Sequence, residues 1–137
     1  MNGPGPDVLV LGNLQGNTWS LNIAAGAECV VDTNGSINAG PMSNFWGPGT
    51  LTILFEGSVS CNMSGSDMNI GNDLVINNHG SFSINGITLC YLAGSSTTIH
   101  NYNNFSVDGE FDFLVYAPGP EFINHPSGTF TKDGTDE

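Results

Sequence analysis

Apolar and polar residues alternate in short bursts along this chain, and the bursts return at a nearly fixed distance. Gly12, Gly35, Gly57, Gly80, Asn103 and Gly128 follow one another at 23, 22, 23, 23 and 25 residues. Two residues after these anchors stand Leu14, Ile37, Val59, Phe82, Phe105 and Phe130. Four residues after them stand Ala39, Cys61, Ile84 and Val107, with Gly16 and Lys132 at that offset in the outer repeats. An i, i+2 spacing is the strand period, so these side chains enter an interior while the intervening Ser, Thr and Asn face out. Self-similarity at this period predicts an all-β parallel β-helix, a β-solenoid of about six coils of 22–25 residues.

Stacked coils turn equivalent positions into ladders. The expected rows are Ile37, Val59, Phe82, Phe105 and Phe130, and, four residues before the anchors, Ile53, Ile76 and Ile99, with Val8 and Val31 continuing that row and Asn124 breaking it. The anchors read as corners. Glycine there is expected to supply φ > 0, with Asn103 the usual substitute. Asn85-Gly86, Asp108-Gly109 and Asp133-Gly134 mark a second corner. A further landmark lies nine residues before an anchor, at Gly26, Gly71, Gly94 and Gly119. Apolar pairs precede three of these: Leu21 with Ile23, Leu89 with Tyr91, and Leu114 with Tyr116. In the second coil Phe45-Trp46-Gly47-Pro48-Gly49 reads as a protruding loop. At the ~4.8 Å rung spacing, six turns make a rod of roughly 30 Å.

Length adds that 137 residues form one solenoid domain, with coils over roughly 8–134 and flexible ends at 1–7 and 135–137. The formal charge of −12 arises because Lys and Arg together number 1, while only 10% of residues are charged. Lys132 alone cannot neutralise a phosphate backbone or an anionic headgroup layer, so nucleic acid is not an expected partner. No apolar run approaches the ~20 residues of a membrane helix, so membrane insertion is not expected either. Met1 to Asp7 has neither the basic region nor the apolar stretch of a secretory leader.

The segments Ser20 to Gly40 and Ile76 to Gly86 resemble the β-solenoid repeats of bacterial surface proteins, the filamentous-haemagglutinin and autotransporter-passenger kind. The resemblance is one of repeat style over roughly residues 8–134. It implies a parallel β-helix at the cell surface or outside the cell, and it carries over no catalytic residues.

Candidate chemistry is sparse. Imidazole is the commonest metal ligand, and His79, His100 and His125 lie near one corner, but they stand at −1, −3 and −3 from their anchors and so argue against a shared site. Asn77, Asn78, Asn101 and Asn124 around them suggest amides bonded from rung to rung. Asp108, Glu110 and Asp112 alternate on one strand but lack the spacing of a calcium loop. A glycosidase pair would have to come from Glu56, Asp67, Asp73 or Glu110, and nothing in the spacing sets two of them across a cleft. Acidic-polymer lyases need more cationic groups than this chain carries. No cofactor, metal or catalytic residue is therefore expected. Asn34, Asn62 and Asn104 begin N-x-[ST] sequons, which matter in a glycosylating host. Cys29, Cys61 and Cys90 lack metal-ligand spacing and read as buried thiols, with Cys29 or Cys90 the alternative for linking subunits.

Trp19, Phe45, Trp46 and Tyr102 lie outside the ladders and form the candidate contact surface, for glycans or a host surface. Neither end shows an amphipathic cap helix, while Val8, Val10 and Leu14 at one end and Phe122, Ile123 and Phe130 at the other are apolar. The leading expectation is a non-catalytic structural protein of an extracellular fibre, sheath or appendage, pairing with itself head to tail. An adhesin or carbohydrate-binding surface module is the alternative, and a polysaccharide-acting enzyme comes third.

Overall fold

The computed structural model describes residues 7–17, 20–86, 89–113 and 119–133. Short polar-apolar bursts separated by turn residues cannot extend into long strands, so each circuit of the chain makes three. The first turn holds β1 (Val8–Val10), β2 (Asn13–Gly16) and β3 (Ser20–Asn22). The second holds β4 (Glu28–Val31), β5 (Ser36–Ala39) and β6 (Asn44–Trp46), and the third β7 (Thr50–Ile53), β8 (Ser58–Asn62) and β9 (Met68–Gly71). The fourth holds β10 (Val75–Asn78), β11 (Ser81–Asn85) and β12 (Leu89–Leu92), and the fifth β13 (Thr98–Asn101), β14 (Asn104–Asp108) and β15 (Glu110–Phe113). Strands β16 (Glu121–Asn124) and β17 (Thr129–Asp133) begin a sixth turn.

Every strand pairs with its counterpart one turn away, giving three parallel sheets: β1-β4-β7-β10-β13-β16, β2-β5-β8-β11-β14-β17 and β3-β6-β9-β12-β15. The protein is an all-β parallel solenoid of five complete turns, and the described residues contain no helix. Six coils counted from the anchors become five because the last anchor belongs to a turn with two described strands. Asp7, counted with the flexible N-terminal end, accepts a 2.9 Å hydrogen bond from the Glu28 amide. Residues 135–137 lie outside the described residues.

In the second sheet the register sets Leu14, Ile37, Val59, Phe82, Phe105 and Phe130 in one inward row. Phe82 and Phe105 are fully buried, and their rings stack at 4.9 Å and 16°. Phe130 is 38% exposed.

The first sheet corrects the other expected row. Ile76 and Ile99 do share one, but with Val8, Cys29, Leu51 and Phe122, whereas Ile53 sits two positions along, in a row with Val10, Val31, Asn78, Asn101 and Asn124. Corner length causes the slip. Asp32–Gly35, Leu54–Gly57 and His125–Gly128 span four residues between strands, but His79–Gly80 and Tyr102–Asn103 span two. Counting back from the anchors therefore mixes two rows, and Asn124 was no exception to its own.

The third sheet buries Phe45, Ile70 and Leu92 in one row with Leu21 packed against them, and Met68 with Cys90 beside it. Of the apolar pair before Gly94, Leu89 and Tyr91 point outward, and Cys90 and Leu92 take the interior. Phe45 and Trp46 lie in β6, not in a protruding loop. Leu114 and Tyr116 lie outside the described residues.

The anchor glycines serve a purpose other than the expected one. None of Gly35, Gly57, Gly80 and Gly128 has φ in the left-handed region. A Cβ on Gly35 would collide with the Val10 carbonyl oxygen, one on Gly80 with that of Gly57, and one on Gly128 with that of Asn101, each in the turn before. Glycine stands there because successive corners touch backbone to backbone. Gly12, with no earlier turn against it among the described residues, has open space at the same position. Among the described glycines positive φ falls at the second corner, as at Gly86 (63°) and Gly109 (130°), and at the third, as at Gly26 (75°) and Gly94 (107°). Gly134 lies outside the described residues.

Candidate functional site

Two features concentrate at the corner between the first and second sheets, in the fourth to sixth turns. The first is an interior amide ladder. Asn78 donates from Nδ2 to Asn101 Oδ1 at 2.8 Å, and Asn101 donates from Nδ2 to Asn124 Oδ1 at 2.7 Å. The same amides reach the backbone, Asn78 to the Asn104 carbonyl (2.8 Å) and Asn101 to that of Thr129 (3.0 Å). Asn78 and Asn101 are completely buried, so these bonds offset a desolvation that unpaired amides would leave uncompensated. Asn78 Oδ1 has no partner. Asn77, expected in the stack, faces outward beside His100.

The second feature is a column of rings on the outside. His79, Tyr102 and His125 each begin a corner, and their amides bond to Ile53, Asn78 and Asn101 respectively, which fixes one register for all three. His79 stacks on Tyr102 at 4.4 Å and 7°, and Tyr102 on His125 at 3.9 Å and 10°. His100 comes from the outer face of β13, and its Nδ1 lies 3.2 Å from His125 Nε2. The ring centroids are 5.5 Å apart, which places both nitrogens close to the line joining the rings and makes this a head-on N–H···N contact. Sequence spacing separated these residues because it counted across corners of unequal length; the repeat of His, Tyr and His one residue after Asn78, Asn101 and Asn124 is the signal that finds them.

Below His79, the third-turn corner pushes Phe55 into solvent at 67% exposure and holds Glu56 at a left-handed φ of 65°. Phe55, His79, Tyr102, Asn103 and Ser127 bound an open cavity of about 450 Å³. Asn103 donates from Nδ2 to the His79 carbonyl at 3.2 Å, and Ser127 donates to that of Tyr102 at 2.7 Å, so the polar rim is fixed to the rungs. Next to this corner the second sheet shows two outward columns, Ser58, Ser81, Asn104 and Ser60, Ser83, Ser106, without a charged side chain. The five serine hydroxyls have no hydrogen-bond partner among the described residues.

The other candidates are scattered. Glu56, Asp67 and Asp73 occupy three different corners of the coil, and Asp73 Oδ1 accepts the Ser96 amide at 2.9 Å, tying one turn to the next. The described residues contain no group of three or more His, Cys, Asp or Glu able to hold a metal ion. The side chains of Glu110 and Asp112 lie outside what the structure describes. Of the candidate contact surface, Phe45 is buried among core residues, Trp46 lies half-buried on the outer face of β6 with its ring against Gly71, Tyr102 is the centre of the ring column, and Trp19 lies outside the described residues.

All three cysteines are free and buried, so none is placed to link subunits. Desolvation pushes the Cys90 thiol up to about 12 and raises Cys61 further, with Cys90 close enough to add to the shift. Burial also raises Cys29, with a second contribution from Glu28. Thiols held protonated in this way are poor nucleophiles.

No helix of the described residues is long and apolar enough to cross a membrane. No protein-family model, curated protein or solved structure matches this chain.

Proposed function

We propose that this protein is a non-catalytic structural solenoid that associates end to end with a second copy of itself, as an element of an extracellular fibre, sheath or appendage. One observation carries the reading. Rows that are fully buried in the middle turns open at both ends of the rod, where Val8 is 50%, Leu14 41% and Phe130 38% exposed. The outer edges of β1, β2, β16 and β17 have no strand against them among the described residues, and their backbone groups suit another parallel strand. In a junction that continues the register, Phe130 of one copy lies over Leu14 of the next, and Phe122 over Val8. Such a heterologous contact propagates instead of closing. The resemblance to surface repeats supports an extracellular setting.

Sedimentation velocity over a concentration series, with negative-stain microscopy, tests the proposal. Growing species and rods are expected. Leu14→Lys and Phe130→Lys each block one end, so either variant alone stays monomeric, while an equimolar mixture of the two stops at dimers. A wild-type chain that remains monomeric at millimolar concentration overturns the proposal. A surface module that binds carbohydrate through its flank is the second reading, favoured by the cavity beside Phe55.

A further inference from the structure

The cavity at the first-to-second-sheet corner combines features that the assembly of rods does not use. Phe55 is exposed although it is large and apolar, and the adjacent Glu56 sits in a conformation that costs a non-glycine residue roughly 1–2 kcal/mol. Both costs fall on one four-residue corner, Leu54–Gly57, and persist where a shorter corner, as in the next two turns, would avoid them. His79 is stacked by Tyr102 on one side, and the described residues bring no other ring against it. The residue beneath it in the corner register is Leu54, so the stack of rings stops at His79, and the cavity runs along its flank from Phe55 past Tyr102 to Ser127.

We propose that this cavity is a binding site for a neutral polysaccharide, with one pyranose ring seated against Phe55 and His79. A pyranose offers an apolar C–H face and a rim of hydroxyls, so it needs an aromatic surface together with neutral donors and acceptors. Phe55 and the open end of the His79–Tyr102 column supply the first. Ser127, Asn103 and the unpartnered Ser58 and Ser81 hydroxyls beside the corner supply the second. The cavity of about 450 Å³ falls within the size range of small-molecule sites and has room for one sugar. Charge selects the class of polymer. With a formal charge of −12, one Lys+Arg in the chain and Glu56 next to Phe55 in the chain, the site repels uronate and sulfate polymers and tolerates uncharged ones. A chain lying along the rod meets the same Ser and Asn columns at each rung, which extends the contact beyond one sugar.

Affinity electrophoresis against a panel of neutral polymers (β-glucan, α-glucan, mannan, soluble chitin oligomers) and acidic ones (alginate, pectate) tests this. Retardation by at least one neutral polymer and by neither acidic one is expected. Phe55→Ala should weaken that binding at least tenfold, and Phe55→Trp should retain it. Because Phe55 is solvent-exposed, neither change threatens the fold, which thermal unfolding checks. Met42→Ala removes an exposed apolar side chain at a different corner and should bind as wild type. No retardation by any neutral polymer, equal retardation by the acidic ones, or unchanged binding by Phe55→Ala overturns the proposal. Rod formation is read without polysaccharide, so either proposal can fail alone.

Discussion

The middle turns and the end turns are built to the same pattern yet differ in what the pattern achieves. In β7 to β14 nearly every inward side chain is excluded from water, because a neighbouring turn covers it on each side. In β1, β2, β16 and β17 the rows continue with Val8, Leu14, Phe122 and Phe130, which lie partly open, and Gly16 and Lys132 replace the apolar residues at the neighbouring inward position. A solenoid turn therefore owes its burial to its neighbours and not to its own sequence, and stability is a sum of contacts between adjacent turns. Among the described residues the ends leave interior side chains open, and on the flank Phe55 stands exposed at its corner.

Matched substitutions at equivalent positions put the contrast to measurement. Phe82→Ala, in a fully buried position, should destabilise by about 3–5 kcal/mol, whereas Phe130→Ala should cost about 1 kcal/mol in the monomer. Urea unfolding reads both, and equal losses would erase the distinction between middle and end. Gly80→Ala places a methyl against the Gly57 carbonyl and should cost about 1–3 kcal/mol. Gly12→Ala meets open space without a positive φ and should be neutral or stabilising by about 0.5 kcal/mol, unless the end is covered by another copy. A Gly12→Ala chain that is stable as a monomer but assembles poorly would sharpen the head-to-tail reading.

A pH dependence is expected from Cys90, in the fourth turn. Its folded pKa is raised to about 12, above the ~8.5 of an unfolded thiol. Below pH ~8.5 both states hold the proton and the thiol costs nothing. As pH rises from there toward 12, the unfolded state releases its proton first and stability falls, by about 1 kcal/mol at pH 9.5. Comparing Cys90→Ala with wild type at pH 7 and pH 9.5 isolates the share of Cys90: the slope should be smaller in the variant, with the raised Cys61 and Cys29 thiols supplying the remainder.

Much of this was legible in the chain. Anchors followed by an apolar residue at +2 named the second-sheet row from Leu14 to Phe130 correctly, because that sheet begins directly after each anchor. Reading backwards failed, since a corner of two or four residues intervenes and a slip of two leaves the in-out alternation intact while exchanging rows. For the same reason spacing alone sets Ile53 beside Ile76 and Ile99 and His79 out of register with His125, where the structure does the opposite. The Gly-Pro-Gly after Phe45 and Trp46 suggests a loop around them and marks instead the end of their strand.

What the sequence determined by itself was the strand period, the turn length and hence the parallel solenoid, because local alternation and repeat spacing are properties of the chain alone. Tertiary structure decided which residues share a row, why the anchors are glycine and where the rings gather. Those depend on the backbone of one turn resting against the next. A methyl group at Gly80 is ruled out by Gly57, 23 residues away, and no local preference of either residue records that contact.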